Sequence, residues 1–139
     1  GLLYTATSNR CGTMRVVEGE YVPGERYNLR VPAGAPDPSP MGAHANELQA
    51  NDPVSGRTVW RVEWPVANYT PVMATAGDLV FSGSIDGYFY ALDAVSGEEL
   101  WHIAVGSRVH SSPMSFAVDG TQYVTIAAGN VVFTFGLRE

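Results

Sequence analysis

The chain has 139 residues, of which 45% are hydrophobic, and it carries a formal net charge of −6 with a pI near 4.9. This length suits one ordinary domain with a core, and the acidic balance argues against nucleic acid or an anionic membrane as partner, because either would need a basic stripe. All eight basic residues are arginine, which excludes Schiff-base chemistry and a phosphate-binding loop that ends in Gly-Lys.

The first predicted element is a strand from Leu2 to Ser8, followed by a turn that contains Asn9 and Cys11. Because the chain opens on a strand already under way, we expect residues 1–12 to be the end of a preceding repeat unit. Cys11 has no cysteine partner within the chain, so it is predicted to be a small structural thiol or to pair outside this segment. No run of about 20 apolar residues occurs, so no membrane span is predicted.

Residues 13–46 have a different composition. Five of the nine prolines fall here with glycines between them and with little periodicity, which predicts a long loop insertion rich in Pro and Gly. Loops of this length usually carry function or cover something.

Regular patterning resumes at Glu47 and continues to the end of the chain, with turn signals between short apolar runs. No window has a helical period, so residues 47–139 are predicted to be all-β. The predicted strands are Glu47–Asn51, Thr58–Trp64, Val72–Thr75, Leu79–Ser84, Tyr88–Leu92, Glu99–Val105, Pro113–Ala117, Tyr123–Ala128 and Val131–Gly136.

A repeat organises these strands. The segment ANDPVSGRTVW recurs as ALDAVSGEELW, so that Asp52 and Trp60 reappear as Asp93 and Trp101 at an offset of 41 residues. A period of roughly 40 to 50 residues is typical of four-stranded β-propeller blades. The chain is therefore predicted to be a partial propeller.

Each fixed position of the repeat has a mechanical interpretation. The two aspartates are expected to form Asx-turns, and the glycines that follow, Gly56 and Gly97, are expected to supply the positive φ that reverses the chain. Trp60 and Trp101 then lie one short strand along, where an indole can fill the wedge between neighbouring blades.

The strand count predicts two to three blades. One complete four-stranded blade runs from Thr70 to about Val105, three strands follow from Ser111, and an incomplete blade precedes. Since propellers close with about 4 to 8 blades, the chain is expected to be a fragment of a longer protein or to assemble with other copies of itself.

The remaining candidates for chemistry are weak. His44, His102 and His110 lack the spacing of a zinc site; His102 is expected to be solvated, and His110 is either a pocket residue or a turn hydrogen-bonding group. Ser111 and Ser112 lack the Gly-x-Ser-x-Gly elbow of hydrolases and are expected to cap a strand end.

The run TAGDLVFSGSIDGYFYALDAVSGEELWHIAVGSRVHSSPMSFAVDGTQYVTIAAGNVVFTFGL resembles the C-terminal blades of the pyrroloquinoline-quinone (PQQ)-dependent alcohol dehydrogenases, the methanol and ethanol dehydrogenase group of quinoproteins. Three features carry the likeness: the two tryptophan-docking repeats, the stretch from Met73 to Gly87, and the stretch from Ser111 to Val124. Before Glu47 the likeness is loose. The resemblance implies an eight-bladed periplasmic propeller that oxidises a small alcohol with PQQ bound on Ca²⁺ or a lanthanide, and that passes electrons to an acceptor such as a cytochrome c.

The resemblance also implies two cofactor-binding residues. The family has an asparagine shortly before a cysteine, and the stretch SNRC offers Asn9, one residue closer to Cys11 than usual; the alternative is a turn asparagine. The family commonly has a tryptophan lining the chamber where this chain has Tyr69, which puts the usual pocket shape in doubt; the alternative is a turn aromatic over the blade edge.

The catalytic base and the metal ligands of that family belong to its earlier blades, so this chain is expected to form part of the chamber wall and not to be catalytic by itself. The alternative is a non-catalytic propeller module, because similar repeats build outer-membrane assembly lipoproteins, whose blades bind peptides through exposed edges.

Overall fold

A computed structural model of the chain describes residues 1–8, 14–16, 18–25, 27, 30–32, 46–64 and 70–136. The chain divides into two compact units, Gly1–Ser8 with Asn46–Glu139, and Asn9–Ala45. No helix that could cross a bilayer occurs among the described residues. The strands in these ranges are β1 (Leu3–Ser8), β2 (Met14–Val16), β3 (Arg30–Pro32), β4 (Asn46–Asn51), β5 (Thr58–Glu63), β6 (Val72–Ala74), β7 (Leu79–Gly83), β8 (Tyr88–Asp93), β9 (Glu99–Ala104), β10 (Met114–Val118), β11 (Thr121–Ala128) and β12 (Val131–Gly136).

The first unit holds three antiparallel sheets with the orders β1-β4-β5, β6-β7-β8-β9 and β10-β11-β12. The predicted all-β class is confirmed, and each predicted strand of this unit agrees with the structure to within two residues at each end. One complete four-stranded sheet is thus followed by three strands and preceded by a shorter sheet, as the sequence predicted.

The second unit contains a ladder that the sequence did not predict. Strands β2 and β3 pair antiparallel, with Met14 opposite Pro32 and Val16 opposite Arg30, and the rings of Tyr21 and Tyr27 meet edge to face at 5.6 Å. Three-residue strands are too short to leave a period-two pattern, which is why this segment looked irregular in the sequence.

The three sheets of the first unit stack in series, because the middle sheet buries apolar side chains on both of its faces. Val80 and Leu92 pack towards the first sheet with Leu48 and Trp60. Phe81 and Phe89, which alternate with them along the same strands, pack towards the third sheet; the cluster on that side is Phe81, Phe89, Ala91, Val105, Val109, Ile126 and Ala128. Alternate side chains of one strand point to opposite faces, so the middle sheet serves two interfaces at once.

Trp60 makes the central contact between the first and middle sheets. Its indole Nε1 donates a hydrogen bond of 3.0 Å to the carbonyl of Ala94, and the hydroxyl of Tyr4 donates a second bond of 3.0 Å to the same oxygen. The ring lies against the turn at Gly97, where an added Cβ would be 2.6 Å from the Cε3 atom of Trp60. Burial is the largest cause that raises the pKa of Tyr4 above its ordinary value.

The predicted turn chemistry is confirmed. The amides of Val54 and Val95 donate to the carboxylates of Asp52 and Asp93 at 2.9 Å in each turn. Gly56 and Gly97 have φ of 70° and 77°, the left-handed region in which other residues are strained.

Trp101 occupies the matching position in the middle sheet but is 39% exposed, whereas Trp60 is 9% exposed. Its ring contacts Phe89 and Phe135 edge to face at 6.1 and 5.3 Å. The turn that receives Trp60 follows β8, the third strand of its sheet, and the matching point of the third sheet comes directly after β12, outside the described residues. Among the described residues, Trp101 therefore makes only the aromatic contacts and meets no turn of the third sheet.

We expect the two aspartate turns to make the stability of the fold sensitive to acid. Hydrogen bonds from the Ser96 amide and hydroxyl lower the pKa of Asp93, and the Ser55 hydroxyl and Val54 amide lower the pKa of Asp52. A lowered native pKa contributes stability above the unfolded value, near pH 4, that is lost as pH falls through the native value.

Asp93→Asn keeps an acceptor oxygen but cannot titrate, so the fall in the urea midpoint between pH 5 and pH 3 should become shallower. Glu98→Gln is the control, because the Glu98 side chain accepts no hydrogen bond from the described residues. An equal flattening in both variants would assign the effect to net charge and not to the turn.

Candidate functional site

The connections between strands fall on two opposite edges of the stacked sheets. We call one of them the loop edge; it holds the strand ends at Ser8, Asn46, Glu63, Val72, Gly83, Tyr88, Ala104, Met114, Ala128 and Val131. The two aspartate turns, at Asp52 and Asp93, lie on the opposite edge. The longest connections in the described sheets therefore begin and end on the loop edge, where binding residues are usually found.

The two residues predicted to bind a cofactor, Asn9 and Tyr69, both lie outside the described residues, as do His44 and Cys11. Their immediate neighbours in sequence are described. Ser8, which precedes Asn9, ends β1, and Thr70, which follows Tyr69, is 1% exposed just before β6. Both neighbours lie on the loop edge.

An open cavity of about 470 Å³ lies between β1 and the start of β6. Two hydroxyl residues at the loop edge, Ser8 and Thr70, are among the residues that line it. The full lining is Tyr4, Thr5, Ala6, Ser8, Thr70, Pro71 and Val72. A volume of this size is within the range of small-molecule sites, roughly 300 to 1,000 Å³.

Ser8 is held by a cross-strand pair at the end of β1. Its hydroxyl donates to the side-chain oxygen of Asn46 at 3.0 Å, and the backbone carbonyl of Asn46 accepts the amide of Trp64 at 2.9 Å. Asn46 therefore joins the ends of β1 and β5 through β4.

A buried polar group lies beside this pair. Glu47 is 2% exposed, and its carboxylate accepts a 2.7 Å hydrogen bond from Gln49 and lies 3.6 Å from the guanidinium of Arg61. Gln49 also donates to the hydroxyl of Thr7 at 3.3 Å. A buried carboxylate needs such partners, since an unpaired buried charge is costly.

Thr70 is tied to the middle sheet, because its hydroxyl donates to the carbonyl of Gly83. In the next turn the hydroxyl of Ser84 donates to the carboxylate of Asp86, and the amide of Tyr88 donates to the Ser84 hydroxyl at 3.2 Å. Burial raises the pKa of Tyr90, and a hydrogen bond with Ser84 offsets part of that rise. The loop edge of the middle sheet thus carries hydroxyl hydrogen bonds at two places, Thr70 and Ser84.

His110 belongs to a connection that is pinned on both sides. Val109 is fully buried, its amide donates to the carbonyl of Ser84 at 3.2 Å, and its side chain closes on Gly83, where an added Cβ would be 2.3 Å from Cγ1 of Val109. Arg108 and His110 flank it and are both exposed. His110 is therefore presented on the loop edge and does not line the described cavity.

The other sequence candidates have structural roles. His102 is exposed and its Nδ1 lies 2.6 Å from the carboxylate of Glu99, as expected of a solvated strand residue. The hydroxyl of Ser111 donates to the carbonyl of Ala127 at 3.0 Å and accepts its amide at 2.9 Å, which confirms a capping role. In the part of the chain that the structure describes, no three His, Cys, Asp or Glu residues lie close enough to hold a metal ion.

Sequence reasoning missed Ser8, Asn46 and Trp64. The signal was present in outline, because β4 begins and ends with an asparagine and each asparagine faces a hydroxyl on a neighbouring strand. A strand bracketed by two small amides indicates side-chain pairs at both edges of a sheet.

Comparison with known proteins gives consistent relatives. The profile of the PQQ_2 family, described as outer membrane protein assembly factor BamB, matches residues 44–136. A quinoprotein ethanol dehydrogenase of Pseudomonas aeruginosa is 46% identical over 95 residues, which cover 67% of this chain and 15% of that protein. The 1-butanol dehydrogenase (cytochrome c) of Thauera butanivorans is 39% identical over 106 residues, 76% of this chain and 14% of that protein.

A similar arrangement occurs in a solved structure. A europium-containing methanol dehydrogenase aligns with a TM-score of 0.77 at 29% identity, over 91% of this chain and 22% of that one. The chain thus spans about 15% of the length of the curated relatives it matches.

Proposed function

Because the chain belongs to the PQQ_2 family and its relatives are quinoprotein alcohol dehydrogenases, we propose that it forms one wall of a PQQ-binding chamber in an alcohol-oxidising enzyme. In this proposal it is the C-terminal propeller segment, Asn9 and Tyr69 contact the cofactor, and the chain is not catalytic by itself. The blades with tryptophan-docking repeats form part of an eight-bladed periplasmic propeller.

The observation that carries the proposal is the position of Ser8 and Thr70 in one cavity. Asn9 directly follows Ser8, and Tyr69 directly precedes Thr70, so the described neighbours of the two proposed residues line the same cavity. This arrangement of the neighbours supports the proposal beside the resemblance.

The proposed contact suits an anionic planar cofactor. PQQ is a flat tricyclic quinone with three carboxylates, and in this proposal the side-chain amide of Asn9 donates a hydrogen bond to one of its carboxylate or quinone oxygens. When bound, the quinone accepts the two electrons taken from the alcohol. The role of this chain is to orient the cofactor and to exclude water from one side of it.

The metal of the proposed chamber is not assigned to the described residues. Since these contain no cluster of acidic or histidine side chains, the Ca²⁺ or lanthanide that supports PQQ is proposed to bind elsewhere in the complete protein. An alcohol is the proposed substrate, and a cytochrome c is the proposed acceptor, as in the name of the Thauera relative.

The test is titration of the chain with PQQ and Ca²⁺ while following the absorbance of the quinone. We expect a spectral shift that saturates, and a Kd that Asn9→Ala and Tyr69→Ala each weaken by about tenfold, the effect of losing one hydrogen bond to a charged group. A matched control is Ser55→Ala, which removes a hydroxyl on the opposite edge. A wild-type chain that gives no shift would remove the cofactor proposal for this chain.

A second candidate is favoured by the description of the family profile. A non-catalytic propeller module would bind an extended peptide along an open strand edge, such as the outer side of β1. Failure to bind PQQ, together with binding of extended peptides that is lost on blocking β1, would favour this candidate.

A further inference from the structure

We infer that Ser8 and Asn46 form a positioning clamp that fixes the starting points of both segments carrying Asn9 and Tyr69. The clamp is defined as the Ser8 hydroxyl, the Asn46 side-chain oxygen and the Asn46 carbonyl with the Trp64 amide. The role of the clamp in cofactor binding rests on the proposed function. The hydrogen bonds of the clamp do not depend on that proposal.

The side chains of Ser8 and Asn46 meet at the end of β1. Ser8 and Asn46 are the last residue pair of the β1–β4 ladder, and the 3.0 Å bond between their side chains closes the ladder where the backbone pairing stops. Asn9 is the next residue of the chain. Strand ends fray unless a hydrogen bond holds them, so this bond is expected to reduce the fraying of β1 at Ser8.

Asn46 is also hydrogen-bonded to Trp64, the residue that precedes the other segment. The carbonyl of Asn46 accepts the Trp64 amide at 2.9 Å one residue beyond the end of β5, and Trp64 is 7% exposed against the ring of Tyr90 at 4.4 Å. Residues 65–69, which include Tyr69, come directly after Trp64. Asn46 is thus hydrogen-bonded both to Ser8, which precedes Asn9, and to Trp64, which precedes residues 65–69.

Further hydrogen bonds between β1 and β4 support the clamp. The hydroxyl of Thr7 donates to the carbonyl of Glu47 at 3.4 Å, and Gln49 bridges Thr7 and the Glu47 carboxylate. These bonds hold β1 and β4 together immediately below the clamp. These supporting bonds remain when the side-chain bond of the clamp is lost. That loss should therefore speed amide exchange after β1 more than within the β1–β4 ladder.

The chain provides a matched control at the opposite edge. The hydroxyl of Thr58 donates to the side-chain oxygen of Asn51 at 2.9 Å, so β4 has the same type of bond at each end. Thr58→Ala removes the bond next to the Asp52 turn, at the opposite end of β4, and Ser8→Ala removes the bond at the loop edge.

The experiment measures amide hydrogen exchange and PQQ affinity in four proteins: wild type, Ser8→Ala, Ser8→Thr and Thr58→Ala. We expect Ser8→Ala to speed exchange at residues 9–13 by about two- to tenfold, with a smaller rise at 65–69, and to weaken PQQ binding by a similar factor. Ser8→Thr keeps the hydroxyl and should restore both, while Thr58→Ala should leave both unchanged.

Equal exchange in Ser8→Ala and wild type, or equal effects of Ser8→Ala and Thr58→Ala, would overturn the clamp. A wild-type chain that does not bind PQQ would overturn the proposed function instead, and the exchange comparison would still decide whether the clamp exists. The two failures are therefore distinguishable.

Discussion

Gly97→Ala is expected to lower the free energy of unfolding by about 2 to 5 kcal/mol. The added Cβ would lie 2.6 and 2.7 Å from ring atoms of Trp60, and the backbone there has a φ of 77°, which strains any residue with a side chain. The indole must shift, and its 3.0 Å hydrogen bond to Ala94 would be lost. Urea denaturation followed by tryptophan fluorescence measures the change.

Gly56→Ala is the control for this prediction, because Gly56 holds the same place in the first copy of the repeat. It has a φ of 70° and no atom within 4 Å of an added Cβ, so its substitution should cost only the backbone strain of about 1 to 2 kcal/mol. The difference between the two variants isolates the contact between sheets. If both variants lost the same stability, Trp60 would not be held by the turn.

Trp60→Ala is expected to cost about 3 to 5 kcal/mol, as for other truncations of large buried aromatics. The ring is 9% exposed, packs with Leu48 and Leu92, and donates a buried hydrogen bond. The mutation leaves a cavity between two sheets. Thermal unfolding monitored by circular dichroism gives the change in midpoint.

Two comparisons test whether this loss belongs to the sheet contact. Trp101→Ala should cost clearly less, because its ring is 39% exposed and has no hydrogen bond among the described residues. In the Trp60→Ala background, Gly97→Ala should cost no more than the backbone strain, since the ring it would strike is gone. Full additivity of the two substitutions would contradict the contact.

The geometry of the two aspartate turns could be predicted from the sequence, because the same residue types occur at the same spacing in both copies of the repeat. Asp52 and Asp93 stand where a side-chain acceptor must meet an amide, and Gly56 and Gly97 stand where φ must be positive. These demands are local, so residue type and spacing are enough to read them. Trp60 followed from the same spacing.

Other features depend on residues that are distant in the sequence. Glu47 looks like a solvated strand residue, and it is buried because Gln49 and Arg61 surround it from the same and the adjacent strand. Trp60 likewise meets the Gly97 turn of the neighbouring sheet, whereas no turn among the described residues of the third sheet covers Trp101. No pattern within either repeat copy distinguishes the two indoles.

The candidate site was predicted in part. Asn9 and Tyr69 came from the resemblance and lie outside the described residues, so their contacts stay a prediction. The cavity beside Ser8 and Thr70 could not be read from the sequence, because it depends on how β1 meets the start of β6. Pairs of strands from different sheets leave no signal in a single sequence.

The Ala94 carbonyl has both of its lone pairs occupied, one by Trp60 and one by Tyr4. Two donors on one carbonyl restrain its peptide plane, so β1, β5 and the 94–97 turn are joined at a single atom. Chimaeras between related propellers should therefore exchange Tyr4, Trp60 and the 94–97 turn as one cassette, with crossover points placed in the opposite connections. A junction that separates them would combine residues from different proteins in this contact between sheets.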